Sequence, residues 1–176
     1  MSVDKKLLYA SYTAVEMDWG EIFSAGMYAV SRQTTNLRNK LKDAYGFKGF
    51  GFDAHAMGCL SEEAVAKWRD VYWKPLKFGD VDVRDVQVRS VDANHKRLVL
   101  HHRDRDDLPY ILVLIDVEML PFVYLRGWIF GRDGKRQEWW EDPQNSDRYA
   151  FWVPNNHLHP MSELPPVSRE IETATA

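Results

Sequence analysis

Asp80, Asp82, Gln87 and Arg89 stand between valines at 81, 83, 86 and 88 in the stretch FGDVDVRDVQVRS. Two carboxylates and an amide carbonyl are hard oxygen donors of the kind that hold a divalent cation, and a guanidinium beside them matches a phosphate or a developing oxyanion. Spacing decides whether they can act together. On one straight strand Asp80 and Gln87 would point to opposite sides and lie about 23 Å apart. If the chain turns at Arg84-Asp85, a two-residue hairpin pairs Val83 with Val86, Asp82 with Gln87, Val81 with Val88 and Asp80 with Arg89. The valines then share one face and the four polar residues the other. Arg-Asp is a poor turn pair, so a bulge or longer loop would shift the register. The plain alternative is an amphipathic hairpin whose outer face is solvated, with Asp80–Arg89 as a weak cross-strand pair.

The elements that must position this hairpin can be read on both sides of it. Thr13-Ala14-Val15-Glu16 has the capping-box pattern, and Val15, Trp19, Ile22, Phe23, Gly26 and Val30 follow at helical spacing, which predicts a helix over 14–32. The run TTNLRNKLKDAYG continues or restarts it, with Gly46 as a stop. GFKGFGFDAHAMG reads as a glycine-rich loop with aromatic anchors. SEEAVAKWRDVYW reads as a second helix with Ser61 as N-cap and two glutamates in its first turn. After Lys77 the period changes to two. DVDVRDVQVRSV, KRLVLHH, YILVLIDVE, FVYLRGWIF and YAFWVP are strand candidates. YILVLIDV is apolar almost throughout and is expected to be central and covered on both faces. GRDGKRQEWWEDPQNSDR is expected to be loop with one helical turn. Helices followed by a strand meander give an α+β fold, with N-terminal helices packed on a mostly antiparallel mixed sheet of about five strands. The chain divides into one domain over 1–164 and a tail over 165–176.

The 176 residues are 45% hydrophobic and 13% aromatic, enough for a real core, and the net charge of −3 argues against a uniformly basic nucleic-acid binder. Any nucleic-acid contact needs a local patch. RGWIFGRDGKRQEWW supplies one, with Arg132, Lys135 and Arg136 in a turn among tryptophans, and Arg32 and Arg38 as possible additions. Trp128 follows the strand period and is expected to be buried. The lone Cys59 excludes an internal disulfide, fits a reducing cytosol and reads as a small core residue. No secretory signal and no membrane span are expected. Adjacent His101 and His102 would point to opposite faces of a strand, and His157 and His159 lack nearby cysteines, so zinc is disfavoured. DRDD at 104–107 reads as a solvated connection without calcium-loop spacing.

Three motifs resemble the PD-(D/E)XK nuclease superfamily: GCLSEEAVAKW, FGDV and Gln87-Val88-Arg89. The resemblance implies that Glu62 from the second helix, with Glu63 as the other candidate, joins Asp80, Gln87 and Arg89 as catalytic residues. Asp82 would repair the charge lost where Gln87 replaces the commoner glutamate. Magnesium or manganese would be held by Glu62, Asp80, Asp82 and Gln87. Arg89 stands where the superfamily has lysine; a guanidinium stays protonated, so its role becomes phosphate clamp rather than base. Over about residues 20–164 the chain also resembles a group of uncharacterised phage and prophage proteins, through GCLSEEAVAKW, GDVDVRDVQVRS, DRDDLPYILVL, FVYLRGWIFGRDGK and YAFWVPNNHLHPMSEL in that order. Together these imply a divergent metal-dependent phage nuclease acting on DNA in the bacterial cytoplasm. The alternatives are an inactive module on the same scaffold that binds DNA or a host protein, and a virion or assembly component. A homodimer is compatible with each.

Overall fold

A computed structural model describes residues 5–39, 52–75, 81–143, 145 and 147–167. The elements run α1 (Lys5–Leu8), β1 (Thr13–Glu16), α2 (Trp19–Arg38), α3 (Phe52–Trp68), β2 (Gln87–Val91), β3 (Leu98–Leu100), β4 (Pro109–Leu114), β5 (Phe122–Phe130), α4 (Gly131–Gly134), β6 (Trp140–Glu141) and β7 (Ala150–Val153). The fold is α+β. A four-stranded mixed sheet of order β1-β5-β4-β2 lies between helices α2 and α3 on one face and a three-stranded sheet of order β3-β7-β6 on the other.

The central strand organises these layers. Every residue of Pro109–Leu114 is buried. Ile111 and Val113 pack with Val88, Val123 and Leu125 against Ala25, Ala29, Cys59 and Val65 of the helices. Tyr110 and Leu112 turn the other way, onto Leu98, Leu100, Phe151 and Val153 of the second sheet. An unbroken apolar run therefore marks a strand covered twice, as its sequence predicts. Cys59 and Trp128 are buried, also as expected.

The main sheet is mixed and mostly antiparallel, as expected, but it has four strands rather than about five, and a second sheet of three stands beside it. β2 pairs with β4 in parallel, Gln87 opposite Tyr110 and Val91 opposite Leu114. The connection between these parallel strands runs through β3, which leaves the main sheet and founds the second one with β7. Parallel neighbours cannot be joined by a tight turn, so this excursion is a topological requirement.

The helix boundaries also move. Thr13–Glu16 is a strand on the edge of β5, not a helix cap, and the buried Val15 and Met17 mark its inward side. The capping box belongs to Asp18 and Glu21: the Asp18 carboxylate accepts the Glu21 N–H at 2.8 Å and Glu21 accepts the Asp18 N–H at 2.7 Å. Two box patterns lie five residues apart, and pairing with β5 selects the second. Ala25 and Ala29 form the inner face of α2, while Trp19, Phe23, Met27 and Val30 are exposed. Alanines let two helices approach closely, and that stripe wins over the larger one. α3 begins at Phe52, so Ser61 lies mid-helix and buried rather than at a cap, and the expected glycine-rich loop is helical from Phe52 through Gly58. Gly46 lies outside the described residues.

Two glycines sit under opposite constraints. Gly127, beside the bulge in β5 where Arg126 has no partner in β4, has φ +151°, and a Cβ there would lie 2.6 Å from the His159 carbonyl oxygen. Gly58 is mid-helix with nothing within 4 Å of an added Cβ. Gly127→Ala is expected to cost about 2 kcal/mol or more, whereas Gly58→Ala is expected to stabilise by about 0.5–1 kcal/mol. Urea unfolding of the two variants beside the parent checks both signs.

Candidate functional site

The chain does fold back at residue 84. Val83 and Val86 exchange both backbone hydrogen bonds, at 3.0 and 3.2 Å, around Arg84-Asp85. Arg84 takes φ +53°, a left-handed conformation that is costly for a side chain with a Cβ. The return limb becomes β2 at the edge of the main sheet. Asp82 does not pair side by side with Gln87 as a regular hairpin would require; its carboxylate instead accepts the Val88 N–H at 2.9 Å.

This turn brings Glu62, Asp82, Gln87 and Arg89 to the lining of one open pocket of about 380 Å³. Arg103, Asp104, Arg105 and Tyr110 complete it. Asp80 lies outside the described residues. Glu62 reaches the pocket from the buried side of α3, where both of its oxygens are occupied. Arg32 grips it with two nitrogens at 2.7 and 2.6 Å, and Trp73 Nε1 donates at 3.1 Å. Arg32 itself is fixed by donation from Nε to the Pro75 carbonyl. Burial lowers the Arg32 pKa, but the hydrogen bonds and charge of Glu62 lift it above the ordinary value.

Arg89 is held from several sides. It lies over the Tyr110 ring at 5.1 Å, donates to Asp104 at 3.2 Å and stands 3.8 Å from Asp82. Asp104 is therefore not merely part of a solvated connection, since it also accepts the His101 N–H and ties the loop to β2. Asp82 is the least compensated acid. Burial raises its pKa first and Glu62 adds to the rise, and this exceeds the lowering by the Val88 N–H, Arg89 and Arg32. The same desolvation raises Tyr110 to about 12 and Cys59 to about 11.

The hard oxygens available to a cation are those of Asp82, the Gln87 amide and Glu62. Among the described residues no group of three or more His, Cys, Asp and Glu side chains forms a metal-ligand set. Asp82 and Gln87 are oxygen donors of the type a hard cation takes, one carboxylate and one amide. Glu62 could contribute only with Arg32 displaced from it. Glu63, the other candidate acid, faces away from this pocket, toward a cleft shared with Glu21 and Lys67.

The basic turn divides. Arg132 lies over Phe130 at 4.4 Å and is exposed, and Arg136 lies over Trp139 at 4.7 Å and is exposed. Lys135 turns inward, donating to the carbonyls of His102 and Asp104 and to Asp106 at 2.7 Å, which corrects its place in the expected surface patch. Arg32 likewise belongs to the interior. Reading the sequence missed Arg32, Trp73 and Asp104 as site residues. For Arg32 a signal exists, because it follows Ala25 and Ala29 at 3–4-residue spacing on the inner face of α2. No family model, curated protein or solved structure matches the chain. Among the described residues no helix is long and apolar enough to cross a membrane.

Removing one partner of the buried Arg32–Glu62 pair leaves an uncompensated charge. Arg32→Ala is expected to cost about 3 kcal/mol, and the double change Arg32→Met with Glu62→Leu is expected to recover most of it, as read by chemical unfolding. Glu63 gives a pH signature. Burial, reinforced by Glu21 and Asp18, raises its pKa from 4.5 to about 7. The folded state then holds the proton that the unfolded state releases, so this group's stabilisation is full below 4.5 and lost as pH rises through 7. Glu63→Gln is expected to flatten that part of the stability–pH curve.

Proposed function

We propose that this protein is a divergent nuclease-like factor acting on DNA, with phosphodiester hydrolysis in the Glu62–Asp82–Gln87–Arg89 pocket and a fold of the PD-(D/E)XK type. The observation that carries the reading is convergence. Four residues singled out from a helix and a turn twenty residues away line one pocket. The resemblance to phage and prophage proteins is consistent with this role and belongs to the same proposal.

The chain's own groups suit the chemistry. Arg89, immobilised by Tyr110 and Asp104, presents a permanent positive charge for a non-bridging phosphate oxygen. It does not serve as base. Bound magnesium or manganese would supply a more acidic water and charge stabilisation at the leaving oxygen. Asp82, Gln87 and Glu62 would hold it, with Asp80 as the further acid implied by the resemblance. Arg132 and Arg136 would take flanking phosphates.

One observation favours a second reading. The Arg32 fork on Glu62 already places a cation against the helical acid, as a catalytically silent scaffold retaining its fold would do. Such a module would bind DNA without cutting it.

Cleavage of linear, branched and single-stranded DNA with magnesium or manganese separates the two. The enzyme reading expects metal-dependent cutting that falls by about 100-fold or more in Asp82→Asn and in Glu62→Gln, with circular dichroism confirming that each variant is folded. No cutting by the parent, together with salt-dependent DNA binding weakened by Arg132→Ala and Arg136→Ala, would overturn it in favour of the silent module.

A further inference from the structure

A second cavity, of about 480 Å³, opens on the other side of the 84–85 turn. Arg105 lines both it and the first pocket. Three arginines from three parts of the chain meet there: Arg69 just beyond α3, Arg84 at the turn and Arg105 in the loop before β4. Val81, Leu108, Pro109, Phe130 and Pro165 supply the apolar part of the lining, with Leu108 and Pro109 themselves buried.

Arg69 is the unusual member. Its side chain is only 3% exposed. One nitrogen donates to Asp85 at 2.8 Å and another makes a long contact of 3.4 Å with the Pro165 carbonyl. Its Nε is buried without a hydrogen-bond partner. A buried guanidinium normally has its donors satisfied, since each one left bare forfeits solvation. Burial pulls the Arg69 pKa down, and Asp85 restores only part of it. Of the three arginines, Arg105 is bonded to Asp107 at 3.0 and 2.6 Å and Arg69 to Asp85, so the excess of one positive charge on the lining is that of the exposed Arg84. Arg132, stacked on Phe130, stands beside this lining and adds to that excess.

From this geometry we infer that the cavity binds a nucleotide unit, its phosphate between Arg84 and the buried charge of Arg69 and its sugar and base along Phe130. The volume is far larger than a phosphate needs, and the lining includes the half-buried ring of Phe130, which suits a ligand with a flat, weakly polar body. Both a free nucleotide and a unit of a DNA strand have that chemistry. The inference does not depend on catalysis in the first pocket, because it requires neither metal nor cleavage.

Calorimetric titration of the full chain in EDTA tests it with inorganic phosphate, thymidine and thymidine 5′-monophosphate. The monophosphate is expected to saturate one site in the millimolar range or tighter, and about 10-fold more tightly than either fragment. Arg84→Ala, a change at an exposed turn, is expected to weaken it about 10-fold. Arg69→Lys keeps a cation beside Asp85 but not the fork, and is expected to weaken it as well. Competition by a short oligodeoxynucleotide assigns the site to a strand, and its absence assigns it to a free nucleotide. No saturable binding of the monophosphate, binding no tighter than phosphate alone, or binding indifferent to both arginine changes would overturn the inference. DNA cleavage in the absence of this binding would leave the first proposal standing and remove only this one.

Discussion

Burial of β4 on both faces is the constraint from which the rest of the molecule follows. Once Ile111 and Val113 are covered by helices and Tyr110 and Leu112 by a second sheet, no polar chemistry can sit over the middle of the main sheet. It must sit at an edge. β2 is the edge strand on the side of α3, and its first residues, Gln87 to Arg89, are where buried layer meets solvent. The same covering explains why β3 leaves the main sheet: a third layer needs strands of its own, and the parallel pairing of β2 with β4 requires a long connection that can supply one.

At that edge the charges are arranged in compensating pairs. Glu62 faces Arg32, Asp104 faces Arg89, and Asp85 faces Arg69. Buried pairs of this kind contribute little net stability compared with an apolar core, so they are weak evidence for structural need and better evidence for a site where charge is wanted. Asp82 and Arg69 are groups whose compensation falls short, one negative and one positive, and each lines a different cavity; Glu63, in a third cleft, is another.

Much of this was legible in the residues. The alternating valines and the turn at 84–85 bring Asp82, Gln87 and Arg89 to one pocket, although only Val83, Val86 and Val88 share a core and Val81 packs on the other, and the apolar run of β4 declares a strand covered twice. The misreadings have identifiable physical sources. Thr13–Glu16 carries a cap pattern, but a four-residue strand is too short for alternation to outweigh it. The exposed Trp19–Phe23–Met27 stripe on α2 is more hydrophobic than the alanine stripe that packs, because close helix approach rewards small side chains over large ones. Gly58 suggested a loop where packing of α3 against α2 overrides a local preference of about 1 kcal/mol. The Arg32–Glu62 grip joins residues thirty positions apart; the spacing from Ala25 and Ala29 marks Arg32 as inward-facing but does not name its partner.

Lys135 holds the 102–106 loop by three contacts, and Gly131 lies so close beneath it that a Cβ would meet the Arg105 carbonyl at 2.1 Å. That loop is the partition between the two cavities, since Arg105 faces both. A shared rigid partition makes the cavities energetically non-independent. Substitutions on opposite sides of it will not sum, and their interaction energy measures how stiff the partition is. Changes at Arg84 or Gln87, on the outer walls, are the ones whose effects can be read one cavity at a time.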